Sequence, residues 1–326
     1  MLDVMATVDA LGTGYDACIA GAALIDRSEA GKLLLTGEQA REFLDGQVSN
    51  EIATLAPGSG RYATLLTNKG RMLGDLRVLA VGDGAVLLIT ERVALQALFD
   101  QVRRGLIGWK AELHKRTLEL GLLSLAGPRG EEVARAVGLP LPGTEEGDVV
   151  VFATDGAVVR TDRGLDVLPP AARVADVRAA LLAAGATETS EDVAEIVRVE
   201  SGRPRYGIDM DDGVMPEEAG IVDRAVSFKK GCYVGQETVA RLHWKGKPNR
   251  HLRGLRPAAP IASGEPVTLM ADDGAQREIG RVGTAVTSPR LGPIALAILR
   301  REAQPGATVL VGDPAVEATV VTLPFA

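Results

Sequence analysis

The chain has 326 residues, and at roughly 150 residues per domain this length predicts two domains with enough residues for a buried core. Hydrophobic residues make up 46% and charged residues 24%, which is typical of a globular protein and excludes a disordered chain. There are 36 Lys and Arg residues against 43 Asp and Glu residues, a net charge of −7, and only 3% aromatic residues, so we expect no direct nucleic-acid binding.

The first third of the chain alternates short strands and helices. The run KLLLTG predicts a strand, and Thr36 and Gln39 have the spacing of a helix capping box, so a helix is expected to follow. The apolar runs MLGDLRVLAV and AVLLIT are separated by a Gly-Asp-Gly turn at 82–84, which predicts a β-hairpin. A helix over 93–106 comes next, and after the strand-like run LELGLLSLAG a further helix is expected to begin near Pro128.

The middle of the chain repeats this alternation, and the last quarter changes character. The runs VVVFA and AVVRTD flank a turn at 154–156, and helices are expected at 174–184 and 191–200. From about Pro257, short β runs are separated by Gly, Pro and Asp, which predicts a small C-terminal β-barrel. The predicted class is therefore α+β, with helix-covered, mainly antiparallel sheets and a barrel.

Cysteine usage and the first residues bear on the cellular compartment. Cys18 and Cys232 are far apart and, with three histidines, match no common zinc spacing, so no metal site is expected and a reducing compartment is favoured. The opening run MLDVMATVDALGTGYDACIA contains no Lys or Arg, unlike a signal or transit peptide. No apolar run approaches the roughly 18 residues of a membrane span. We expect a cytoplasmic protein that does not associate with membranes.

The most unusual segment is FKKGCYVGQETVARLHWKGK. Its Cys232 follows Lys229 and Lys230 directly, and glycines stand on both sides of it. Positive charge and the exposed N–H groups of a turn would favour a thiolate, which is the reactive form of cysteine. Taken alone, these residues fit a small buried hydrophobic cysteine better than a reactive one.

Two carboxylates are further candidates. Glu200 ends the predicted helix 191–200, where it could accept two parallel hydrogen bonds from an amidine-like ligand face, such as the 2-amino group and ring N–H of a pterin. An ion pair with Arg198 or Arg203 on a solvated face is the alternative that the residues alone favour. Asp75 begins an apolar strand after a turn, where it could serve as an acid, a base or a cation stabiliser, or simply as a turn residue.

A basic stretch runs from Arg241 to Arg256. It contains six Lys and Arg residues and no acidic residue. Such a stretch could receive an anionic tail or nucleic acid, or it could be a solvated face, and one basic patch in an acidic protein is insufficient for RNA binding.

The octapeptide KGCYVGQE at 230–237 resembles the signature of the YgfZ family of folate-binding proteins. Around it the chain resembles the wider glycine-cleavage T-protein (aminomethyltransferase) superfamily, from about Leu24 to Phe325, in runs that include RYATLLTNKGRMLGDL, RVESGRPRYGID and MPEEAG. T-proteins read roughly D-F-I-G-K/R-E where this chain has KGCYVGQE, which favours the YgfZ branch. The closing runs PRLGPIALAILR and VVTLPF are closer to T-proteins.

The resemblance implies a tetrahydrofolate-binding fold. Two α+β lobes within residues 20–250 would surround a central folate channel, and residues 251–326 would form the barrel. The cofactor would be tetrahydrofolate or a one-carbon derivative.

The resemblance also implies roles for single residues. Glu200 would accept hydrogen bonds from the pterin, and Asp75 would lie near the reactive N5-to-N10 region. Arg241 is expected by its charge to meet the glutamate tail, and Lys230 is expected to contribute to folate binding. Asp75 and Cys232 are the expected catalytic residues.

The function implied by the YgfZ resemblance is support of the assembly or repair of iron–sulfur enzymes, including tRNA-modifying ones. Its partners would be those enzymes or their assembly factors, and we expect a monomer. An aminomethyltransferase that moves a one-carbon unit to tetrahydrofolate is one alternative, and a non-catalytic folate-binding scaffold is another.

Overall fold

A computed structural model describes residues 12–152, 156–270 and 275–326. Strands alternate with short helices over most of the chain, and strands predominate from residue 250 onward. The strands are β1 (Ala23–Asp26), β2 (Gly31–Thr36), β3 (Gly60–Leu66), β4 (Met72–Gly82), β5 (Ala85–Thr90), β6 (Glu112–Lys115), β7 (Leu123–Ala126), β8 (Val149–Phe152), β9 (Gly156–Thr161), β10 (Gly164–Leu168), β11 (Thr187–Glu188), β12 (Arg250–Pro257), β13 (Pro266–Met270), β14 (Gln276–Ser288), β15 (Gly292–Arg300), β16 (Thr308–Val311) and β17 (Val316–Val321). The helices are α1 (12–20), α2 (Ala40–Asp45), α3 (Leu95–Gly105), α4 (Gly130–Ala136), α5 (Val174–Ala183), α6 (Glu191–Glu200), α7 (Val222–Ala225) and α8 (Gln236–Lys245).

The first compact unit consists of the described residues up to Leu66 together with Leu73–Ala194 and Arg224–Val234. It contains a five-stranded sheet of order β3-β4-β5-β2-β6 and a six-stranded sheet of order β11-β1-β7-β10-β9-β8. Phe43 of α2 and Leu98 of α3 belong to the core cluster of the five-stranded sheet. These two helices therefore cover that sheet with their apolar faces.

The second compact unit consists of Thr67–Met72, Glu195–Asp223 and Gly235–Ala326. Its main element is a closed barrel of order β12-β15-β14-β13-β16-β17. Side chains alternate between the buried interior and the outside, as expected for barrel strands; in β17, Ala318 and Val320 are buried. The expected α+β class and the C-terminal barrel are confirmed.

Several local predictions agree with the structure, and one does not. The β4–β5 hairpin and the helix at 191–200 form as predicted, whereas the turn predicted at 154–156 lies partly outside the described residues. The capping box was wrong: Thr36 stays in β2, with its Oγ1 2.9 Å from His114 Nε2, and Gln39 precedes α2 without a side-chain cap. The pairing of β2 with β6 fixes Thr36 in extended backbone, so its hydroxyl bonds across the sheet.

Membrane insertion through a helix finds no support in the structure. Over the described ranges, no helix combines the length and apolar character that crossing a bilayer requires.

Candidate functional site

The Asp75 centre lies in the five-stranded sheet of the first unit. Asp75 is on β4 and Tyr62 is on the neighbouring β3. The Tyr62 hydroxyl donates a hydrogen bond of 2.6 Å to Asp75 Oδ2, and the Thr90 hydroxyl donates one of 2.6 Å to the Asp75 carbonyl. Asp75 Oδ1 is buried and has no hydrogen-bond partner among the described residues. Because buried polar atoms are rarely left unpaired, this oxygen is an acceptor that fits a ligand donor or cation.

The surroundings of Asp75 tune its charge. Burial raises the pKa of Asp75 from 3.8 to about 6; the Tyr62 hydrogen bond opposes this rise, and the nearby charge of Glu91 adds to it. Burial and the charge of Asp75 raise the pKa of Tyr62 well above 10. Tyr62 is therefore a stable proton donor at neutral pH, while Asp75 titrates within reach of neutrality, as general acid–base and electrostatic roles require.

Arg224 adds a cation to this centre. Its guanidinium lies 4.9 Å from the centroid of the Tyr62 ring, a cation–π distance, and it also pairs with Glu146. Arg224 Nε is buried and lacks a partner within the described part of the chain. The centre thus presents an acceptor on Asp75 and a donor on Arg224, with Tyr62 in contact with both residues.

Lys230 is buried in a cradle of oxygen atoms. Its Nζ donates hydrogen bonds to the carbonyl oxygens of Val48 (3.0 Å), Asn50 (2.9 Å) and Asp45, and it lies 3.2 Å from Asp45 Oδ1. Burial lowers the pKa of Lys230, and Asp45 opposes that shift. The three N–H donors of an ammonium are matched by these three carbonyls, so a folate contact through Lys230 stays a prediction that would require one bond to open.

Cys232 is exposed, two residues after the buried Lys230. Cys18, in contrast, is buried, and burial raises the pKa of its thiol. The side chain of Tyr233 is buried below the Lys230 ammonium, which lies 5.2 Å from the ring centroid. The loop therefore buries the side chains of Lys230 and Tyr233 and leaves the Cys232 thiol accessible. That this thiol opens onto a folate channel stays a prediction.

The Glu200 centre belongs to the second unit. Glu200 is 5% exposed, and its Oε1 accepts a hydrogen bond from the Ser288 hydroxyl at the end of β14. Arg290 Nη2 lies 3.6 Å from Oε2. The solvated face favoured by the residues alone is therefore wrong, and Arg198 of that interpretation pairs instead with Asp209 at 2.7 Å.

Arg241, predicted to meet the glutamate tail, lies exposed on α8. No ion pair in the described ranges involves it, so this role stays a prediction. Another cation of the basic stretch, Arg250, is neutralised by Glu218 at 2.8 Å, so the stretch is less positive than its sequence indicates.

The structure adds residues that the sequence did not single out, namely Tyr62 and Arg224 beside Asp75 and Ser288 beside Glu200. A signal for Tyr62 was available, because the apolar runs RYATLLT and MLGDLRVLAV are joined by a short turn and are therefore expected to pair, which places Tyr62 on the strand beside Asp75. Arg224 and Ser288 are far from their partners in sequence, and no spacing indicates them.

Two stretches of the chain, which together include most of its residues, match known protein families. Residues 6–230 match the GCVT N-terminal domain, and residues 250–326 match the glycine cleavage T-protein C-terminal barrel domain. The chain belongs to the glycine-cleavage T-protein superfamily. The expected superfamily is thus confirmed, while membership of the YgfZ branch stays a prediction.

Relatives within the T-protein superfamily are distant but nearly full-length. The aminomethyltransferase of Mycobacterium leprae is 28% identical over 318 residues, which cover 93% of this chain and 85% of that one. The aminomethyltransferase of Geobacillus kaustophilus is 28% identical over 330 residues, covering 95% and 89%. A chloroplastic protein of Arabidopsis thaliana, named only as a transferase, is 27% identical and covers 91% of this chain and 70% of its own length.

A solved T-protein structure supports the fold. The glycine cleavage system aminomethyltransferase T of Bartonella henselae superimposes with a TM-score of 0.87, covers 97% of this chain and 89% of its own, and is 23% identical.

Across the described residues, no three His, Cys, Asp or Glu side chains cluster closely enough to hold a metal ion.

Proposed function

We propose that this member of the T-protein superfamily binds tetrahydrofolate or a one-carbon derivative, with Asp75 in contact with the part that reacts. The buried, unpartnered Oδ1 of Asp75, on a carboxylate oriented by Tyr62, carries this proposal. A preorganised carboxylate in a site shielded from water stabilises positive charge far better than one in water does. The residues of this centre therefore fit a folate that carries a cationic one-carbon unit or an N–H donor.

Aminomethyl transfer is the activity that the named relatives favour. Tetrahydrofolate would supply the nitrogen atoms that accept the one-carbon unit. Asp75, ionised above about pH 6, would stabilise positive charge on the transferred group, and Tyr62 would hold the carboxylate in place. Glu200 stays the predicted pterin ligand, and its burial supports a recognition role because a buried carboxylate binds N–H donors strongly.

A YgfZ-type role in iron–sulfur enzyme maintenance is the second candidate, and the exposed Cys232 favours it. Lys230 fixes the loop from within, so Cys232 is presented on an ordered segment. A thiolate at this position could attack a disulfide or bind iron transiently, and two cysteines do not supply the usual four thiolates of a cluster held by one chain. Assembly factors or iron–sulfur enzymes would be the protein partners.

Titration calorimetry with tetrahydrofolate tests the shared part of both candidates. We expect the wild type to bind and Glu200→Ala to bind at least tenfold more weakly. The control is Asp83→Asn, which replaces an exposed carboxylate in the β4–β5 hairpin and should bind as the wild type does. Absence of binding by the wild type overturns the proposed function.

A pair of assays separates the two candidates. Ammonia release from an aminomethyl-lipoyl carrier protein at about 1 per second or faster would establish aminomethyl transfer. Rescue of iron–sulfur enzyme activity in a strain that lacks its YgfZ-type gene, by the wild type and Cys18→Ala but not by Cys232→Ala, would establish the second candidate. Equal rescue by Cys232→Ala would remove Cys232 from the mechanism.

A further inference from the structure

Ser288 occupies a turn in which every part of its hydroxyl has a partner. The oxygen accepts the backbone N–H of Arg290 at 3.0 Å and that of Leu291 at 2.9 Å, and the hydroxyl donates to Glu200 Oε1. Ser288 is 2% exposed, so water does not compete for these bonds.

The chemistry of a hydroxyl then fixes the direction of the bond to Glu200. A serine hydroxyl has one proton and two lone pairs. Because two N–H groups already approach the oxygen, its single proton is directed to Glu200. Oε1 must therefore be an acceptor.

Further contacts hold Glu200 in place through its backbone. The Glu200 carbonyl accepts the N–H of Phe325 at 3.0 Å, and Phe325 packs with the neighbouring Val199 and with Ile294 in one apolar cluster. Both the position and the acceptor character of the Glu200 carboxylate are thus set before a ligand arrives.

Arg290 differs from Ser288 in how firmly it holds Glu200. Its side chain is 60% exposed, and its Nη2 is 3.6 Å from Oε2, beyond hydrogen-bond distance. Because the Arg290 side chain is largely exposed and makes no hydrogen bond to Oε2, solvent screens this ion pair and weakens it. A ligand that brings its own N–H donors can therefore replace Arg290 at low cost, while Ser288 keeps its bond.

We propose that Ser288 is a positioning and specificity-determining residue, which keeps Glu200 an acceptor so that this site selects pteridines with a 2-amino group beside a ring N–H. The inference rests on the proposed folate binding and adds to it the reason for ligand choice. It also gives the β14–β15 turn of the barrel a part in recognition, through Ser288 and the exchangeable Arg290.

The test compares two ligands rather than one affinity. The dissociation constants of 5-formyltetrahydrofolate and of its 2-desamino analogue are measured by calorimetry for the wild type, Ser288→Ala and Ser288→Thr. We expect the wild type to prefer the 2-amino ligand, Ser288→Ala to lose about tenfold of that preference, and Ser288→Thr, which keeps the hydroxyl, to retain it. Ser201→Ala is the matched control, because Ser201 is an exposed serine at the end of α6 that bonds only locally, to the Val197 carbonyl.

Glu200→Gln gives a second readout that does not depend on the folding of Ser288→Ala. If Ser288 donates to the side-chain oxygen of Gln, the amide NH2 must take the position of Oε2. The variant would then repel N–H donors, and its preference for the 2-amino ligand should disappear.

Each outcome is decisive. Loss of the preference in Ser288→Ala, with retention in Ser201→Ala, supports the inference; if Ser288→Ala does not fold, its loss in Glu200→Gln supports it. A preference that is unchanged in folded Ser288→Ala or in Glu200→Gln, or an equal weakening of both ligands in Ser288→Ala, overturns it and leaves the proposed function intact. Failure of the wild type to bind either ligand overturns the proposed function, and the inference with it.

Discussion

Two carboxylates, the half-buried Asp75 in the first unit and the buried Glu200 in the second, resemble each other at first sight. Each accepts a hydrogen bond from a hydroxyl on one oxygen, from Tyr62 in one case and from Ser288 in the other. Their second oxygens differ. Asp75 Oδ1 has no hydrogen-bond partner in the described residues, whereas Glu200 Oε2 faces Arg290.

This difference separates a group suited to chemistry from a group suited to recognition. Burial without a full set of partners raises the pKa of Asp75 to about 6, so a small change in its surroundings alters its charge near neutral pH. Glu200 is instead held by a turn of the barrel and by an arginine that a ligand can replace. Substitution of Lys230, Asp75 and Tyr62 in turn shows which of these residues makes the Asp75 centre different from the Glu200 centre.

The largest expected effect comes from Lys230, which anchors the segment that brings Arg224 to the Asp75 centre. Lys230→Met leaves three buried carbonyls and the Asp45 carboxylate without their cation. Breaking a buried pair in this way should lower the free energy of unfolding by about 4 kcal/mol. Urea denaturation measures this free energy. The control is Lys229→Met, at an exposed lysine, whose free energy of unfolding should stay within about 0.5 kcal/mol of the wild-type value. Equal stability of the two variants would show that the cradle is dispensable.

Asp75→Asn tests the charge of the centre directly. The amide keeps the shape of the side chain and removes its negative charge. If aminomethyl transfer is the activity, turnover should fall by about 100- to 1,000-fold, the usual loss for one preorganised electrostatic group. The control variant Asp83→Asn, which changes an exposed carboxylate, should have the turnover rate of the wild type. Wild-type turnover in Asp75→Asn would exclude Asp75 from the chemistry.

The pH dependence of stability provides an activity-free test of the same carboxylate. The pKa of Asp75 is about 6 in the folded protein against an ordinary value of 3.8, so the folded state binds this proton more tightly than the unfolded state. The resulting stabilisation is complete below about pH 4 and is lost as pH rises through 6. It amounts to at most about 3 kcal/mol, since each pKa unit corresponds to about 1.36 kcal/mol.

The difference in unfolding free energy between wild type and Asp75→Asn isolates this effect from all other titrating groups. We expect the wild type to lose stability relative to the variant between pH 4 and 7. A difference that stays constant with pH would mean that Asp75 has an ordinary pKa, and the contrast with Glu200 would then lose its physical basis.

Local sequence patterns were sufficient for much of the fold. Alternating apolar residues around a Gly-Asp-Gly turn predicted the β4–β5 hairpin, and a 3.6-residue period predicted α6. The capping box at Thr36 failed because a partner strand distant in sequence, β6, holds that residue in extended backbone. Pairing across the sheet overrode a local preference.

The candidate sites show the same limit. Asp75 and Glu200 were singled out from their places in a strand and a helix and from the family resemblance, but their burial and their hydroxyl partners were not predicted. Ser288 is 88 residues from Glu200, and no pattern within either segment indicates the pair. Likewise, the family resemblance predicted a folate contact for Lys230, and the carbonyl oxygens of the chain that surround its ammonium were not predicted.

The smallest expected effect, and the closest test of the comparison, is removal of the Tyr62 hydroxyl. Its hydrogen bond lowers the pKa of Asp75, opposing the effects of burial and of Glu91, so Tyr62→Phe should raise that pKa above the wild-type value of about 6. Less of the carboxylate is then ionised. Because roughly 1.5 kcal/mol for a hydrogen bond to a charged group corresponds to about one pH unit, turnover should fall about twofold at pH 7 and about tenfold near pH 5. Arg224, which also faces Asp75 and lowers its pKa, is unchanged in the variant and keeps the shift modest.

A pH–rate profile distinguishes this effect from simple damage to the site. In Tyr62→Phe the acidic limb should move to higher pH, and turnover should recover towards the wild-type value as pH rises. Tyr233→Phe is the matched control, because its buried hydroxyl has no hydrogen-bond partner in the described residues and so tunes no carboxylate. A loss of turnover in Tyr62→Phe that is the same at every pH would contradict the proposal that Tyr62 acts through the ionisation of Asp75, and it would leave Tyr62 with a packing role in the sheet.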